Sequence, residues 1–254
     1  MKKIRFSILC FVLTCCPMAY PEASSAELSP ALWDSYLTLA LNARPANFSL
    51  CPGRLLRGAQ TGAAAFSHAW KYRKTTYELH FDSRQALGRT VYDLALHSGD
   101  IPPSVSRERV EAGVEGFHYD ITQICVWLND VFAGKRETPV RETLLFMGYL
   151  LQDQVVVLKE GRFIPGGKIR HILAAAEGKK RSLEENLNHE RLHVFWDEDP
   201  TFVKQARKAW EALPESGREQ ERNRFKQYAD NEELRLEEWA VREVQARRII
   251  LKGF

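Results

Sequence analysis

The chain has 254 residues, 44% of them hydrophobic and 27% charged, with a formal net charge of +3. This balance is too apolar for a disordered chain and too polar for a multi-span membrane protein. Lys2, Lys3, Arg5 and Glu22 put two of the three surplus charges in residues 1–26, and the near-neutral remainder argues against nucleic acid as a ligand.

The first 26 residues run from basic (Lys2, Lys3, Arg5) through an apolar stretch from Phe6 to Val12 to the small residues Ala23-Ser24-Ser25-Ala26. That order predicts a cleaved secretory signal, with Ser24 and Ala26 at the −3 and −1 positions and a mature chain starting near Glu27. The expectation is a periplasmic or secreted protein with no membrane span after cleavage. Leu13-Thr14 before Cys15-Cys16 fits a lipid anchor poorly. Three of the five cysteines leave with the signal, so Cys51 and Cys125 remain, either as one disulfide in an oxidising compartment or as two separate buried thiols.

Residues 27–254 carry no repeat, low-complexity tract or long linker and read as a single mature domain. Apolar positions recur at helical spacing from Leu28 to about Asn42, and Pro- and Gly-punctuated sequence follows. Thr75–Phe81 alternates as a strand. Helices are predicted around Arg84–Leu96, Ile121–Phe132 and Leu144–Leu151. Gln154–Lys159 and Arg162–Ile164 form a hairpin about Glu160-Gly161. After Pro165-Gly166-Gly167 nearly everything reads as helix, with breaks at Asp197–Pro200, Pro214–Gly217 and Asp230-Asn231. The fold class is α+β and predominantly helical, with a small hairpin or sheet upstream of the helices at about 180–250.

Within this helical part lies His189-Glu190-Arg191-Leu192-His193, the pattern H-E-x-x-H. Residues four apart lie on one helix face, so His189 and His193 can direct two imidazole nitrogens at one ion. Glu190 sits about 100° further round, flanking the ion without ligating it. Glu184 and Glu185 suit the start of such a helix, where the dipole favours negative charge.

With these residues the chain resembles the zincin metallopeptidases, firmly over the motif and loosely over the last 70 residues or so. The resemblance implies one catalytic Zn²⁺ held by His189 and His193, Glu190 as general base toward a zinc-activated water, and a peptide or protein substrate. The metzincin extension is missing: its glycine and third-ligand positions hold Trp196 and Asp199. Asp199 before Pro200 instead reads as a helix cap, with ligation by Asp197 or Asp199 as the alternative.

The gluzincin pattern takes its third ligand from a Glu on a later helix, and Asn231–Ala240 offers one. Taking Leu234 as 0°, the apolar face spans roughly 200° to 340°, with Glu233 at about 260° and Glu237 at about 300° inside it. Glu232 and Glu238 fall outside. Glu233 is therefore the expected third ligand and Glu237 the carboxylate that orients a zinc-bound imidazole.

The Gln154–Lys159 hairpin is a candidate edge for binding a peptide by strand addition. Tyr228, Arg235 and His171 are candidate oxyanion donors. His68, His80, His97 and His118 lack ligand-like spacing and read as ordinary packed or surface residues. The leading expectation is an exported zinc metallopeptidase. A non-catalytic envelope interaction protein built on a degenerate zincin, or a zinc amidase acting on cell-wall peptides, are the alternatives.

Overall fold

A computed structural model describes residues 53–57, 75–81, 83–136, 140–226 and 231–246, the first segment as backbone only. The expected signal, the 28–42 helix, Cys51, His68 and Tyr228 lie outside the described residues.

Four strands form one mixed sheet: β1 (Gly53–Arg57), β2 (Thr76–Phe81), β3 (Gly116–Asp120) and β6 (His171–Ala176), in the order β1-β2-β6-β3. β2 and β6 are parallel, and β1 and β3 run antiparallel to their neighbours. β4 (Val156–Lys159) and β5 (Arg162–Pro165) make a separate antiparallel hairpin. Its turn residues Glu160 and Gly161 have φ of 52° and 72°, the left-handed pair that a two-residue hairpin turn matching strand twist requires.

The helices are α1 (Arg84–Ser98), α2 (Arg107–Gly113), α3 (Ile121–Phe132), α4 (Arg141–Gln152), α5 (Leu183–Glu198), α6 (Pro200–Glu211), α7 (Glu215–Arg224) and α8 (Glu232–Gln245). The fold is α+β and mostly helical. No helix among the described residues is long and apolar enough to cross a membrane.

The period of two along β6 decides the layering. Ile172, Ala174 and Ala176 point into a core shared with Tyr77, Leu79 and Phe81 of β2, Phe117 and Tyr119 of β3, and residues of α1 to α4 and the hairpin. Leu173 and Ala175 point the other way, into a second core with α5, α6 and α8. A strand buried on both faces needs no polar alternation. This is why His171-Ile-Leu-Ala-Ala-Ala176 forms a strand where its alanines, the best helix formers, read as helix.

The hairpin packs on the first core: Asn129 of α3 donates to the Phe163 carbonyl at 3.0 Å and accepts from the Phe163 amide at 2.8 Å. It therefore lies across the sheet from α5, not beside the H-E-x-x-H helix as a substrate-binding edge would. Trp127, Trp196, Trp210 and Trp239 are buried packing residues. Cys125 is a buried free thiol, its pKa pushed up to about 12 by burial and then by Asp120.

Candidate metal centre

α5 starts at a capping box. The Ser182 hydroxyl accepts from the Glu185 amide at 3.2 Å, and the Glu185 carboxylate accepts from the Ser182 amide at 2.7 Å, which satisfies two of the amides a helix start leaves open. From Asn186 to Trp196 every residue of α5 is buried. Asn186 donates to the Ala176 carbonyl at 2.9 Å, tying the helix start to the end of β6.

Arg191, one of the two variable residues of the motif, fixes the helix to the sheet. Its Nε and Nη2 donate to the two carboxylate oxygens of Glu78 on β2 at 3.0 and 2.9 Å, and its Nη1 to Asn188 and Glu184. Burial opposes the charge on Glu78, but His80, its Nε2 3.9 Å away, and the hydrogen bonds from Arg191 hold its carboxyl below the usual range. With Arg191 directed at the sheet, His189 and His193 on the other side of the helix face α8.

Each imidazole is held at its back nitrogen by a residue of α8. His193 Nδ1 donates to Glu237 Oε1 at 2.9 Å, and His189 Nδ1 donates to Gln245 Oε1 at 3.2 Å. Gln245 is anchored in turn by its donation to the Glu185 carbonyl at 2.6 Å. Those bonds put the ring protons on Nδ1 and leave the Nε2 lone pairs forward. Both Nε2 atoms meet Glu238, His189 at 3.9 Å from Oε2 and His193 at 3.8 Å from Oε1.

His189, His193 and Glu238 are thus a buried group able to bind a metal ion. Tetrahedral zinc sets its donors about 3.4 Å apart; the two gaps to Glu238 exceed that by a few tenths of an ångström, and all three donor atoms lie within 4.8 Å of one another. His193 Nε2 has no hydrogen-bond partner, which fits a nitrogen reserved for a metal. Burial lowers both imidazole pKa values, that of His189 to about 4, which keeps the rings neutral as ligation requires. Burial also works against the charge on Glu238, but Arg242, donating from Nε at 2.9 Å, keeps it ionised.

Glu190 faces the edge strand. A Cβ on Gly116 would lie 2.9 Å from both Cγ and Cδ of Glu190, so the glycine makes room for this carboxyl. Glu190 Oε2 has no hydrogen-bond partner, and burial, then Glu238, pushes its pKa well above the usual range. His189, Glu190 and His193 are each 1% exposed and Glu238 is fully covered. The group is therefore closed to solvent in this state.

The structure does not bring Glu233 to the histidines. It is exposed at the first turn of α8 and pairs with Arg207 of α6, so the carboxylate beside the two histidines is Glu238, not the Glu233 expected from helical phase. Helical phase picks out a buried face only on a surface helix with one apolar side. In fact Arg235, Leu236, Glu238, Trp239, Ala240, Val241, Glu243 and Val244 are all buried, spanning most of the circumference. Glu233 precedes this stretch, and the α8 start is capped by Asn231, whose Oδ1 accepts from the Leu234 amide at 3.1 Å.

Asp199 caps α6, accepting from the amides of Thr201 and Phe202, and takes no part in the site. Of the expected oxyanion donors, Arg235 pairs with Glu232, and His171 pairs with His118 and Glu198. Comparison with protein families, with known proteins and with solved structures finds no match to this chain.

Proposed function

We propose that this chain is a zinc-dependent metallopeptidase of the zincin type, exported through the signal-like segment at residues 1–26. His189, His193 and Glu238 would hold the ion, with Glu190 as general base. The observation that carries the reading is the orientation of the two imidazoles: both Nε2 atoms face one carboxylate while both Nδ1 atoms are held from behind by α8. Such back-bonding partners fix tautomer and ring direction at metal sites.

A bound zinc ion would supply Lewis acidity, polarising the scissile carbonyl and acidifying a water. Glu190 would serve as general base toward the attacking water and return the proton to the leaving amine. Burial, by raising its pKa, makes this carboxyl a readier proton donor to the leaving amine than an exposed glutamate. Gly116 makes room for it by leaving no side chain between the carboxyl and β3, one of the two edge strands of the described sheet. Glu237 and Gln245 keep the imidazoles in register, and Arg242 holds Glu238 ionised.

Glu190→Gln keeps the shape and removes the base. It is expected to lower peptide hydrolysis by about 10²- to 10⁴-fold with zinc content unchanged, and full activity in this variant contradicts the proposal. The complete burial of the site favours a second reading, a non-catalytic protein in which the ion staples α5 to α8. In that case the zinc-loaded wild type cleaves no peptide library, and zinc removal lowers its melting temperature.

A further inference from the structure

Beside the first group, and not needed by it, lies a second cluster of histidines and a carboxylate. His118 projects from β3 and His171 from β6, diagonally across an antiparallel pair and toward α5. Their facing nitrogens, His118 Nε2 and His171 Nδ1, are 2.9 Å apart. Asp197, one turn after His193 on α5, places Oδ2 3.8 Å from the first and 3.9 Å from the second. We propose that His118, His171 and Asp197 form a second site for a divalent transition-metal ion, distinct from the His189/His193/Glu238 group.

Three features support it. The gaps between donor atoms, 2.9, 3.8 and 3.9 Å, bracket the spacing of about 3.4 Å around tetrahedral zinc. Glu198 lies 3.2 Å from the other nitrogen of His171, so His171 donates from Nε2 and turns the Nδ1 lone pair into the cluster, the arrangement in which a carboxylate orients a metal-binding imidazole. Without metal, His118 donates its Nε2 proton to that lone pair. Binding requires only that His118 carry its proton on Nδ1 instead.

The site also has a way in. His118 and His171 are 3% and 4% exposed, but the Asp197 side chain is 22% exposed and lines a cavity of about 570 Å³ with Trp196, Pro200, Val203 and Lys204. Two imidazoles and one carboxylate select zinc and its nitrogen-preferring neighbours over magnesium or calcium. The rings of His118 and His193 stack at 6.2 Å and 3°, so the two sites adjoin, and an ion in the second would pin the β3–β6 edge to the C-terminal end of α5.

The test uses zinc as the probe on the full-length protein, stripped with chelator and reloaded. Wild type is expected to hold two zinc ions per chain, and His118→Gln, Asp197→Asn and Glu238→Ala one each. Glu198→Gln keeps all three donors and is expected to weaken the second ion about 10- to 100-fold, which a merely structural Glu198 would not do. Zinc at about a hundredfold above its dissociation constant is expected to raise the melting temperature of Glu238→Ala by on the order of 5–10 °C.

If His118→Gln fails to fold, Asp197→Asn and Glu198→Gln carry the test, because both change partly exposed side chains. The proposal is overturned if these variants keep wild-type zinc content and affinity, or if wild type holds one ion that Glu238→Ala loses; in the latter case the peptidase site stands. One ion lost in Asp197→Asn but kept in Glu238→Ala supports the second site and removes the first. A wild type that binds no zinc overturns both.

Discussion

On one face of the sheet, Tyr77, Leu79, Phe81, Phe117, Tyr119, Ile172, Ala174 and Ala176 meet the helices that follow β2 and β3. On the other, the same strands present Thr76, Glu78, Gly116, His118 and His171 toward α5, which brings Glu190, Arg191 and two histidines of its own. The first face is held by packing, and the second buries charged groups whose desolvation works against folding unless each finds a partner. Where Arg191 meets Glu78 the partner is present. At Glu190 Oε2 and His193 Nε2 it is not, and this contrast within one helix separates the residues that secure the fold from those assigned to chemistry.

The largest effects should come from breaking each face in its own way. Phe146, 1% exposed and edge-on to Phe117, is expected to cost about 3–5 kcal/mol when replaced by Ala. Glu78→Gln is expected to cost a similar amount, about 3–5 kcal/mol, by leaving the Arg191 guanidinium buried and half-paired. Urea unfolding measures both. A cost under about 1 kcal/mol for Glu78→Gln would mean that the ion pair does not secure α5.

Asp100 is the titratable group that sharpens the comparison from the packed side. It accepts from Tyr119 at 2.5 Å and from Ser98 at 2.8 Å, and burial, outweighing those bonds, raises its pKa from 3.8 to about 7. The folded chain thus retains a proton that the unfolded chain loses above about pH 4. This contribution to stability is complete below that pH and is lost as the pH rises through about 7, by up to about 4 kcal/mol. In Asp100→Asn the slope of unfolding free energy between pH 4 and 7 should flatten, and an unchanged slope would assign the dependence elsewhere.

The smallest effect is expected at Glu233. Because it is exposed and paired only with Arg207, Glu233→Ala should leave both melting temperature and zinc content as in wild type. Loss of zinc there would return the third-ligand role to Glu233.

Local signals in the sequence located the α5 motif, the hairpin turn at Glu160-Gly161, the Asp199-Pro200 helix start and the approach of Glu237 to an imidazole. What escaped depended on surroundings. β6 was hidden because double-sided burial erases the alternation that marks a strand. Its loss hid the His118–His171 pairing, since those residues become neighbours only through the β3–β6 register. Glu238 was hidden because helical phase identifies a buried face only when the other face meets solvent. The run of Trp239, Ala240 and Val241 beside Leu236 was the signal that α8 is enclosed on several sides.

The central claim is that α8 supplies Glu238 to an ion shared with His189 and His193. Zinc per chain, counted by elemental analysis in reloaded wild type and in Glu238→Ala, tests it most directly. The variant is expected to hold one ion fewer than wild type while keeping its fold by circular dichroism. Equal zinc in the two proteins, or none in wild type, would contradict it.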